Sequence, residues 1–149
     1  MKILKTISNS IYQWILDTHS NDYNYFQNDF ANNANGHTNG MMYMLIVLLA
    51  VSLIATAVYY YGIASKVANA TKKNYMVVYL LGLITLIVVN FVVMATIPEM
   101  KNVFTSYNMW MINLIDVLYY TILFQLWSWL VKSASKSPNI DLISIVFNK

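Results

Sequence analysis

The sequence contains no cysteine and no arginine, and only 10% of its residues are charged. Without cysteine, disulfides, thiolate metal ligands and cysteine nucleophiles are all excluded. The basic residues are nine lysines against six acids, a net charge of +3. Nucleic-acid binding requires basic residues clustered along one face. The densest cluster here is Lys66, Lys72 and Lys73, which membrane topology explains better, so no nucleic-acid partner is expected. A soluble domain is typically about 45–50% apolar and about 25% charged. This chain is 58% hydrophobic over 149 residues, too little polar surface for a soluble monomer, and a membrane protein is indicated.

Catalytic and metal-binding patterns are equally scarce. There is no GxSxG, no phosphate-cradling glycine loop and no carboxylate pair within an apolar run. The only histidines, His19 and His37, lack HxxxH or HExxH spacing. The chain is therefore expected to be non-enzymatic, with no cofactor and no metal.

What the sequence has is three apolar runs of 23 residues, Met41–Ile63, Tyr75–Ile97 and Met109–Val131. At about 1.5 Å per residue each gives a helix roughly 34 Å long, enough to cross a hydrocarbon core of about 30 Å. The expected fold is all-α: a polytopic membrane protein with three transmembrane helices in residues 41–132. Asn39-Gly40 reads as a turn before the first span, Asn74 and Asn108 as caps for the second and third, and Pro98 as the stop of the second. Trp14, Trp110, Trp127 and Trp129, with Tyr59–Tyr61, fit interfacial anchoring at the headgroup level.

The flanks differ from the spans. Ile3, Leu4, Ile7, Ile11, Trp14 and Ile15 recur at helical spacing, which predicts a short amphipathic helix over about residues 3–16, lying on the membrane or docked on a partner. No cleavable signal peptide is visible, since Ser8-Asn9-Ser10 and Gln13 interrupt any apolar core. Residues 20–40 are polar and Asn-rich, and residues 133–149 form a tail. Five lysines border the first connection and the end of the third span (Lys66, Lys72, Lys73, Lys132, Lys136), against Lys101 alone in the second connection. The lysine-rich side faces the cytoplasm, which puts the C-terminus inside and the N-terminus outside.

Asp116 is the most unusual residue. It lies seven positions into the third run, roughly 10 Å below the interface. An ionised carboxylate at the centre of a span costs about 2.5–3.5 kcal/mol, so such residues face a bundle interior or a water-filled cavity. Asn113, Asp116 and Tyr120 share one helical face, and Ser52, Thr56 and Tyr60 share another. Together they suggest an intramembrane polar seam. It serves either as a hydrogen-bonded register lock, the preferred reading, or as an ion path with Asp116 as its titrating group. Thr85 and Asn90 fall on different faces of the second run. Small residues at Ser52, Ala55 and Gly62 would permit close helix approach.

The expected function is a structural or accessory subunit of a larger membrane assembly in a cell or virion membrane. Its partners would be the lipid bilayer and other membrane subunits or copies of itself. The alternative is a self-associating pore. In topology alone, three spans with an external N-terminus and a lysine-bearing cytoplasmic tail resemble one class of phage holins, with no shared residue motif.

Overall fold

The computed structural model describes residues 38–64, 71–96 and 106–134, together with residues 3, 4, 6, 7, 10, 11, 143 and 145. Among these residues there is no strand. Helix α1 (Thr38–Ala57) runs directly into a π-helical turn, π1 (Val58–Ile63). Helices α2 (Lys72–Thr96) and α3 (Ser106–Ala134) follow. Three stretches are long and apolar enough to cross a membrane: Met42–Ile63, Lys72–Thr96 and Trp110–Lys132, of 22, 25 and 23 residues. The protein is an all-α integral membrane protein. Lipid offers backbone groups no hydrogen bonds, so runs rich in Val and Ile close into helices that satisfy every amide internally.

The helices begin earlier than their capping signals imply. Asn39 and Gly40 lie inside α1 rather than in a turn before it. A single glycine costs a helix only about 1 kcal/mol, which the apolar run that follows outweighs. Thr71, not Asn74, caps α2: its Oγ1 accepts the Asn74 amide at 3.1 Å, and its carbonyl accepts the Tyr75 amide at 3.1 Å. Asn108 lies within α3, which starts at Ser106. Pro98 is outside the described residues.

Among the described residues, the helices depart from α geometry at the end of the first span. The Ala64 amide donates to the Tyr59 carbonyl at 2.7 Å, a five-residue closure that widens the last turn. Tyr59 and Tyr60 are buried there, and only Tyr61 of the three tyrosines is exposed. The first two are packing residues rather than interfacial anchors. The expected N-terminal helix is described at six positions, all helical, where Ser10 Oγ donates to the Thr6 carbonyl at 2.9 Å. Ile3 and Ile7 are exposed. Trp14 and the polar segment to residue 37 lie outside the described residues.

The chain divides into two compact units, Met1–Val47 with Ile87–Asp116, and Leu48–Leu86 with Val117–Lys149. The first buries Met42, Met44, Leu45, Met94, Ile112 and Ile115. The second is built on a cluster of aromatic rings in edge-on and tilted contact. Tyr75 meets Tyr59 edge-on at 4.9 Å and Phe124 at 5.2 Å, and Phe124 lies 5.4 Å from Tyr79 and 5.7 Å from Tyr120. Each such pair adds about 0.5–1.5 kcal/mol beyond its buried area. The exposed positions of α2 are apolar through Leu81, Ile84, Val88 and Val92, and those of α3 through Leu114, Leu118, Ile122 and Leu130. Apolar exposed faces suit helices that face lipid.

Candidate functional site

In the first unit the polar interior consists of Asn90, Asn113 and Asp116, all buried. Asn90 lies on α2, and the other two lie one turn apart on α3. Asn90 Nδ2 donates to Asp116 Oδ2 at 2.6 Å and to Asn113 Oδ1 at a long 3.4 Å. The shorter bond is charge-assisted when the carboxylate is ionised and is the stronger of the two. Asn90 Oδ1 is buried and accepts no hydrogen bond. The amide is therefore committed through its donor end, which clasps α2 to α3. Beside this cluster, Trp110 packs edge-on against Phe91 at 5.2 Å.

In the second unit Ser52, Thr56, Tyr60 and Tyr120 are buried. Thr56 Oγ1 turns back to the Ser52 carbonyl at 2.8 Å, and Ser52 Oγ donates to the Leu49 carbonyl at 3.0 Å. Ser52 Oγ also accepts Trp127 Nε1 at 3.1 Å, a bond between α1 and α3. Tyr120 Oη donates to the Tyr79 carbonyl at 3.2 Å. Two hydroxyl pairs join α2 to α3: Tyr75 with Ser128 and Tyr79 with Thr121, each at 2.8 Å. Most of these polar side chains are thus engaged with neighbouring helices.

The six seam residues thus fall into two groups. Asn113 and Asp116 belong to the first unit and meet through Asn90. Ser52, Thr56, Tyr60 and Tyr120 belong to the second. Thr85 is exposed and bonded to the Leu81 carbonyl at 2.8 Å, on a different face from buried Asn90. Of the tryptophans, Trp110 and Trp129 are exposed, while Trp127 is partly buried by its bond to Ser52. Gly62 is not a point of close approach, since a Cβ there would meet nothing within 4 Å. Gly82 is that point: a Cβ there would collide with Tyr120 Oη and stand 3.0 Å from Ala55 Cβ.

Sequence reasoning missed Asn90 as the partner of Asp116, although a lone amide in an apolar run is itself a signal of an interhelical bond. It also missed Gly82, which only the opposing Tyr120 ring identifies. His19 and His37 lie outside the described residues. No protein-family model, no curated protein and no solved structure matches this chain.

Proposed function

We propose that the protein is a non-enzymatic structural or accessory subunit of a larger membrane assembly, with its N-terminus outside and its C-terminus in the cytoplasm. The observation that carries this reading is the engagement of Asp116. Its side chain has no exposure and takes the Asn90 amide at 2.6 Å. A carboxylate held in this way favours helix registration over conduction. The face that would line a lumen, Asn113–Asp116–Tyr120, is buried, and a pore would require it to be repacked. The exposed apolar sides of α2 and α3 supply surface for lipid and for neighbouring subunits.

Extraction in mild detergent followed by sizing tests the reading. The expected result is a particle well above the 17.1 kDa chain in its micelle, with other membrane proteins or further copies present. A monodisperse monomer would overturn it. Induced expression should leave cells impermeable to dye, and leakage would favour the pore.

A further inference from the structure

We draw no further inference here: the strongest candidate, the open apolar groove of the second unit between the end of the first span and the first half of α2, lined by Ala55 and Gly82, carries none because nothing in the structure shows what covers it.

Discussion

Asn90 on α2 donates its side-chain amide to the Asp116 carboxylate on α3 at 2.6 Å, and neither side chain has any exposure. In hydrocarbon the alternative to such a bond is a costly unsatisfied group, which makes the pair selective for one helix register. Its net strength is nevertheless modest. Interhelical hydrogen bonds in membranes average about 0.6 kcal/mol and reach about 1.7 kcal/mol, because the unfolded chain in the bilayer also finds partners.

Asp116→Asn keeps an acceptor where Asn90 needs one, so it should cost less than Asp116→Ala. Asp116→Ala leaves the Asn90 amide only its long 3.4 Å bond to Asn113 and should cost about 1–3 kcal/mol. A double-mutant cycle with Asn90→Ala, followed by reversible unfolding in mixed micelles, should return a coupling of about 0.6–1.7 kcal/mol. A coupling of zero would remove the pair from the account of how α2 and α3 are registered.

Asn90→Asp replaces the donor by a second carboxyl beside Asp116. Two acceptors then face one another in a buried site with no donor between them. Asn90→Asp should therefore be more destabilising than Asn90→Ala. Thermal melts in detergent measure this, and a smaller loss for Asn90→Asp than for Asn90→Ala would contradict it.

The spans were legible in the sequence because lipid leaves a long uncharged run only one backbone solution. Asp116 was legible for the same reason, as an ionisable group that the bilayer penalises. Its partner was not. Asn90 lies 26 residues away on another helix, and a periodicity confined to one helix cannot rank amides across helices. Helix starts were misread because Asn39-Gly40 and Asn108 are turn and cap signals only when nothing downstream outweighs them. Tyr59 and Tyr60 looked interfacial from their place at a span end. The widened π1 turn and the rings of Tyr75 and Phe124 turn that end inward instead.

Gly82 should tolerate no side chain. Gly82→Ala places a methyl against Tyr120 Oη, 3.0 Å from Ala55 Cβ and 3.1 Å from Tyr120 Cζ. Such overpacking costs about 1–3 kcal/mol. Tyr120→Phe gives up the bond to the Tyr79 carbonyl, worth about 0.5–1.5 kcal/mol, but opens space for the methyl. The double variant should lose less stability than the sum of the two singles. Strict additivity would mean that the ring and the glycine are not in contact. Gly62→Ala is the control, with open space around it, and should change stability by less than about 0.5 kcal/mol.

The lysine distribution makes a topological prediction that the absence of cysteine makes easy to read. Any cysteine introduced is the only thiol in the chain, so labelling by a membrane-impermeant maleimide reports one position. Asn69→Cys lies in the connection that carries Lys66, Lys72 and Lys73, and Ser135→Cys lies between Lys132 and Lys136. Both should stay unlabelled in intact cells and react once the membrane is opened. Asn32→Cys, ahead of the first span, should react in intact cells. An odd number of crossings puts the two ends on opposite sides, so the three positions must agree with one another. Labelling of Asn69→Cys and Ser135→Cys from outside, with Asn32→Cys protected, would invert the assignment. Labelling of Asn32→Cys and Ser135→Cys from the same side would mean that one of the three apolar helices does not cross the bilayer.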